Sequence, residues 1–164
     1  MVPQVVQDAL NEQIQREFYA AYLYLSMSAY FESLNLPGFA RWLRVQSQEE
    51  VEHAMRIFNF VNERGGRVVL KAIPQPPAEF ESPLAAMQAA LDHERRVTGY
   101  INELYELALQ EKDYPTQVML HWFIEEQVEE EQITGQVVER LKVIGDDPAA
   151  LLVMDNVMAQ REEE

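Results

Sequence analysis

Five glutamates and one histidine stand where a helix of a water-soluble protein should be apolar. On a wheel that turns about 100° per residue, Glu17 falls within about 40° of Val6, Leu10, Ala21, Tyr24, Ser28 and Phe31. Glu50 shares its face with Phe39, Leu43, Ala54, Ile57 and Val61, and His53 lies about 60° to one side. Glu94 is flanked by Met87, Ala90, Ile101, Tyr105 and Ala108. Glu126 and Glu130 both occupy the centre of a stripe formed by Met119, Phe123, Ile133, Val137 and Leu141. The adjacent acids Glu49 and Glu52 point elsewhere.

Carboxylates pulled into a core need compensation, because each uncompensated charge there costs several kcal/mol. No Lys or Arg occupies those central positions. One buried pair could share a proton, but four segments that each supply an acid point to cations from outside. Dense hard oxygen donors with a single imidazole suit a pair of iron or manganese ions. The same donors hold Fe³⁺ more tightly than Fe²⁺, so such a site favours oxidation. Glu50-x-x-His53 places two donors on adjacent points of one helical face, where they can grip one ion. Alone that spacing is a weak signal in a Glu-rich chain, and it gains weight from the acids on the other segments. Its counterpart is Gln127-x-x-Glu130, so the two halves are not chemically symmetric.

Composition narrows the partners. The chain has 164 residues with 13 Lys+Arg against 28 Asp+Glu, a formal net charge of -15. Nucleic-acid backbones and anionic membranes would repel it, and cations would be drawn to it. The absence of cysteine excludes disulfides, zinc fingers, thiolate-held clusters and thiol catalysis. No basic start followed by a long apolar run marks a secretory signal, and no stretch of about 18 apolar residues could span a membrane. These features predict a soluble, cytoplasmic protein.

The elements that must carry the acids follow from the placement of Gly and Pro. Pro3 fits an opening helical turn, Asn35-Leu36-Pro37-Gly38 parts the first two periodic segments, and Gly65-Gly66 closes the second. Ser82-Pro83 opens a third with a hydroxyl cap, Asp113-Tyr114-Pro115 a fourth, and Gly145-Asp146-Asp147-Pro148 starts a short fifth running to about Gln160. The prediction is four helices of roughly 28 to 30 residues, each about 40 to 45 Å long. Short loops make two antiparallel hairpins, and a connection of about 17 residues can run the length of the bundle. An all-α, up-down-down-up four-helix bundle with one long crossover results, as a single domain over 1–164. The bundle spans about 4–144 and the fifth helix about 147–160. Only Val68–Ile73 could be extended. The acids all fall near the middles of their helices, so they should converge at one level.

The segments QIQREFYAAYLYLSMSAYF, FARWLRVQSQEEVEHAMRIFNFVNERGG, HERRVTGYINELYELA and HWFIEEQVEEEQ resemble the ferritins, in particular the non-haem bacterial and archaeal type of the ferritin-like di-iron superfamily. The resemblance covers essentially the whole chain. It implies that Glu17, Glu50 and His53 bind one iron and that Glu50, Glu94 and Glu130 bind a second, with Glu50 bridging and Gln127 alongside. A third, looser iron position would use Glu49, Glu126, Glu129 and Glu130. Tyr24 would lie beside the di-iron centre, although an ordinary core aromatic explains it as well; for Trp122 the resemblance implies redox participation, which a packed tryptophan explains nearly as well. Bacterioferritins differ in carrying a second Glu-x-x-His and a haem-binding Met where this chain has Gln127-x-x-Glu130 and Glu52, so haem is not predicted. Rubrerythrins add a Cys-rich module that is missing here.

By this resemblance the chain stores and detoxifies iron. It would act as a ferroxidase that oxidises Fe²⁺ with O₂ or H₂O₂ and deposits Fe³⁺ mineral inside a cage of 24 copies, with an unidentified reductant for iron release. The fifth helix, with Leu151, Leu152, Val153, Met154, Val157 and Met158, would pack around fourfold axes. The stretch that bears inlet carboxylates in animal ferritins reads Tyr114-Pro115-Thr116-Gln117-Val118-Met119-Leu120-His121, with only Asp113 nearby. His121 and His93 read as surface imidazoles, and Glu125 and Glu131 as solvated acids. Two other classes remain open: a di-iron or di-manganese enzyme acting on peroxide or an organic substrate without mineral storage, and a metal-free interaction bundle.

Overall fold

The computed structural model describes residues 1–163. Within them every regular element is helical: α1 (Gln4–Ser33), α2 (Pro37–Glu63), α3 (Pro83–Gln110), α4 (Tyr114–Ile144) and α5 (Pro148–Met158). The first four form the predicted bundle. Their ends follow local chemistry. The Ser82 hydroxyl accepts from the Ala85 N–H at 3.0 Å and caps α3, while the Asp147 carboxylate caps α5 by accepting from Ala149 and Ala150. Gly145 ends α4 in the left-handed region at φ 59°. Asp113 precedes α4 without capping it, because its carboxylate is drawn to the Arg64 guanidinium at 2.6 Å and to Thr116.

The crossover does not form a strand, although Val68–Ile73 has the composition for one. Its polar backbone is satisfied by side chains of α1 instead. Asn11 accepts from the Val69 N–H and donates to the Arg67 carbonyl, Gln15 donates to the Ala72 carbonyl, and Ser26 donates to the Pro77 carbonyl. These anchors climb α1 from residue 11 to residue 26, which returns the chain to the end where α2 began. Hence α3 runs parallel to α2.

The interior is divided. One apolar block joins Met27, Phe31, Phe39, Leu43, Met87 and Val138. The other joins Leu10, Ile14, Ile57, Ile101, Leu120 and Phe123. Between them lies a polar waist. The fifth helix packs on the start of α2, where the Phe39 N–H donates to Asp155 at 2.9 Å. A Cβ on Gly38 would meet the Asp155 carbonyl oxygen at 1.7 Å, so this approach requires glycine.

Candidate metal centre

Each of the four long helices sends buried donors into the waist: Glu17 from α1, Glu50 and His53 from α2, Glu94 from α3, Gln127 and Glu130 from α4. Apolar packing lies above and below them. Donor atoms of Glu17, Glu50 and His53 lie within 4.8 Å of one another, and so do those of Glu50, Glu94 and Glu130. Glu50 belongs to both groups. A third group joins His53, Glu126 and Glu130, with Glu126 only partly buried.

Several donors are held from behind. Tyr24 donates a short hydrogen bond to Glu94 Oε1, and Gln127 donates to Glu94 Oε2 at 3.2 Å. Gln13 donates to Glu17 Oε1 at 3.0 Å, and Gln46 donates a short hydrogen bond to Glu130 Oε2. Among these waist donors two buried atoms remain without a hydrogen bond, Glu17 Oε2 and His53 Nδ1. They are 3.8 Å apart, and His53 Nδ1 is also 3.3 Å from Glu50 Oε2. The three atoms face one another and leave Glu17 Oε2 and His53 Nδ1 unsatisfied, a donor set whose chemistry fits a cation. Among the described residues no Lys or Arg pairs with Glu17, Glu50, Glu94 or Glu130.

Protons partly offset the charge. Burial, then the charge of Glu94, pushes the carboxyls of Glu50 and Glu130 well above the ordinary carboxylate range. Burial also raises Glu94, against the donations from Tyr24 and Gln127. For Glu17 burial acts upward, but the neighbouring His53 and Glu50, with the donation from Gln13, outweigh it and the net shift is down. Burial disfavours a charged His53, yet the Glu50 charge and the adjacent carboxylates of Glu126 and Glu17 raise the imidazole far above its usual value. Burial and the neighbouring Glu94 raise the Tyr24 phenol well above its usual value, so it stays a donor.

The sequence profile of the ferritin-like domain matches residues 7–144. The chain belongs to the ferritin family. It is 38% identical over 161 residues to a bacterial non-heme ferritin of Bacteroides fragilis, covering 98% of this chain and 100% of that one. With a bacterial non-heme ferritin of Staphylococcus saprophyticus it shares 40% over 154 residues, covering 94% and 92%. Its fold superposes on an open pore ferritin from the hyperthermophilic archaeon Archaeoglobus fulgidus with a TM-score of 0.98, at 51% identity over 99% of this chain and 100% of that one. An engineered closed form of the same archaeal ferritin gives a TM-score of 0.99, at 51% identity over the whole of both chains.

The structure of this ferritin separates the residues proposed for a third position. Glu126 Oε1 lies 3.6 Å from His53 Nε2, whereas Glu129 is exposed and Glu49 Oε2 pairs with Arg161 at 3.0 Å. Neither Glu49 nor Glu129 is in any of the three donor groups. His93 is corrected outright: it is only 7% exposed, not a surface imidazole, and packs against the rings of Tyr19 and Tyr24. Burial and Arg96 lower its pKa to about 4, so it stays neutral. His121 is exposed as expected, and Glu131 is half-buried and accepts from Thr98. Asp113 is buried against Arg64, which leaves exposed Tyr114 and Val118 at the start of α4. Sequence reasoning missed Gln13 and Gln46, although each stands four residues before a core acid on the same helical face, as Gln13-x-x-x-Glu17 and Gln46-x-x-x-Glu50.

Proposed function

We propose that this ferritin binds two Fe²⁺ ions per chain in the waist, oxidises them with O₂ or H₂O₂, and passes Fe³⁺ to a mineral stored inside a hollow assembly of 24 chains. The carrying observation is the convergence of Glu17 Oε2 and His53 Nδ1, buried and without hydrogen bonds, beside a carboxylate common to two donor groups. One Fe²⁺ is taken by Glu17, Glu50 and His53, the other by Glu50, Glu94 and Glu130. The shared Glu50 holds the two ions close, so that their two electrons reach one O₂ together and, with two protons, reduce it to H₂O₂.

Binding also releases protons, since Glu50, Glu94, Glu130 and His53 all hold them more tightly than usual and must give them up to an ion. Tyr24 and Gln127 fix the Glu94 carboxylate, and Gln13 fixes Glu17, so two of the carboxylates are oriented before the ions arrive. The Glu126 carboxylate, partly open to solvent and in reach of His53 and Glu130, serves as the way out for Fe³⁺, and Glu49 and Glu129 join Glu130 in a looser outer position only if they move toward it.

Storage is supported by family membership and by the apolar residues that α5 leaves exposed, Leu152, Val153 and Val157, which suit burial between copies. The deciding experiment is aerobic loading with Fe²⁺ followed by sizing and electron microscopy. A large shell with an electron-dense core is expected. A small oligomer that turns over peroxide without accumulating iron would replace this reading with a dinuclear oxidase.

A further inference from the structure

Beyond α5 the chain folds back along α2 toward the waist. The Arg161 guanidinium lies 4.2 Å from the centre of the Trp42 ring, donates to the Trp42 carbonyl at 3.2 Å and to Gln46 Oε1 at 2.8 Å, and pairs with Glu49 Oε2 at 3.0 Å. Its side chain is only 12% exposed. Gln46 carries the contact inward, because its amide nitrogen donates to Glu130 and lies 3.4 Å from Glu50 Oε1. One hydrogen-bonded chain therefore links the C-terminal segment to two acids of the metal centre. The seat of α5 is separate, made by Asp155 on the Phe39 N–H and by the close approach at Gly38.

We propose that Arg161 is a tethered cation that competes with metal ions for Glu49, so that an ion shared by Glu49 and Glu130 binds only by displacing the guanidinium. The proposal rests on the waist being an iron site and names what limits its outer position. A planar guanidinium held by a carboxylate, an amide oxygen, a carbonyl and an aromatic face is fixed in place, and a divalent ion must break those contacts to reach Glu49. Gln46 stands between the two acids, accepting from Arg161 and donating to Glu130, and Arg161 supplies positive charge from the Glu49 side. Because α5 is anchored at Asp155, the guanidinium can swing away without undocking the helix.

Calorimetric titration of the assembled, metal-stripped protein with Zn²⁺, which cannot change oxidation state, tests this. Wild type should take up two tight equivalents per chain and a weaker third. Arg161→Gln should leave the first two unchanged and tighten the third by about tenfold, the effect of removing one partly buried charge-assisted pair. Arg161→Lys should fall between, and Glu49→Gln should abolish the third equivalent in either background. Loss of the two tight equivalents from wild type would sink the iron-site reading itself. Two tight equivalents with a third that Arg161→Gln leaves unchanged or weakens, or that survives Glu49→Gln, would overturn the role of Arg161 alone. A readout that keeps Arg161 in place is Trp42 emission, recorded in Trp122→Phe because these are the only two tryptophans. It should shift on the third equivalent and not on the first two, and emission that stays flat through the third would also count against displacement.

Discussion

At one end of the bundle Phe31 stacks on Phe39 with ring centres 4.9 Å apart, and at the other Leu10, Ile14, Ile57 and Leu120 pack with Phe123 in a second apolar layer. Between those blocks Glu17, Glu50, Glu94 and Glu130 are at most 1% exposed. The ends are built from contacts that favour folding in water. The waist is built from groups that oppose it unless protons or cations intervene. Helix length, caps and the anchored crossover let the ends carry the waist, so substitutions in the two regions should differ in kind as well as in size.

The largest stability effect should come from an end. Phe31→Ala removes a fully buried ring and leaves a cavity, at a cost of about 3–5 kcal/mol. Urea unfolding followed by helix signal measures it, and a loss under about 1 kcal/mol would show that the waist carries more of the stability than its chemistry allows.

Next is Glu50→Gln, which should invert that pattern. The metal-free variant should be as stable as wild type or more so, because a like-charged buried acid is replaced by a neutral isostere. Its rapid Fe²⁺ oxidation should disappear, and so should the stabilisation by anaerobic Fe²⁺, about 2.7 kcal/mol when free ion exceeds the dissociation constant a hundredfold. Stopped-flow oxidation and melting with and without Fe²⁺ give both numbers. A variant that unfolds like Phe31→Ala would erase the distinction between the regions.

The pH dependence follows with a definite sign. Glu50, Glu94 and Glu130 have folded values raised above 4.5, and His53 has one raised above 6.5. Such groups bind more protons folded than unfolded, so the stability they contribute is lost as pH rises through their folded values. Glu17 and Glu126 are shifted down, and their contribution is lost only as pH falls below the ordinary carboxylate range. His93, lowered to about 4, costs stability only below 6.5, where the unfolded chain would protonate it. The window upward from pH 6.5 therefore isolates the waist. Metal-free protein should lose stability across it, and saturating Zn²⁺ should reverse the trend because binding expels those protons. A flat metal-free profile would mean that the acids are not buried as charged or proton-sharing groups.

Helix number, hairpin pairing and the level of the acids were legible in the sequence because each depends on local rules: a proline or glycine at a joint, an acid at the centre of an apolar stripe. What was not legible depends on contacts between distant segments. Val68–Ile73 has strand-like composition, but Asn11, Gln15 and Ser26 meet its backbone first. His93 lies off its own stripe, yet Tyr19 and Tyr24 cover it from α1. Nothing in the sequence around Glu49 announces that Arg161, 112 positions along the chain, pairs with its carboxylate. Gln13 and Gln46 could have been found from their spacing alone, since an amide four residues before a buried acid is placed to donate to it.

The smallest effect separates two acids that composition could not tell apart. Glu126 and Glu129 lie on the same turn of α4, but only Glu126 reaches inward, with Oε1 3.6 Å from His53. The neighbouring His53 imidazole holds its carboxyl below the ordinary value, so Glu126→Ala removes one acidic neighbour of His53. Glu129 is exposed, and Glu129→Ala should change stability by less than about 0.5 kcal/mol. Both variants should keep the first-turnover oxidation rate and differ later. Glu126→Ala should slow the regeneration of the site as Fe³⁺ leaves, and Glu129→Ala should do so less. Sequential additions of two Fe²⁺ per chain, with recovery timed between them, resolve the difference. Equal recovery in the two variants would mean that departing iron is guided by surface charge and not by the inward-reaching carboxylate. Collapse of the first turnover in either would place that residue among the ligands of the initial pair.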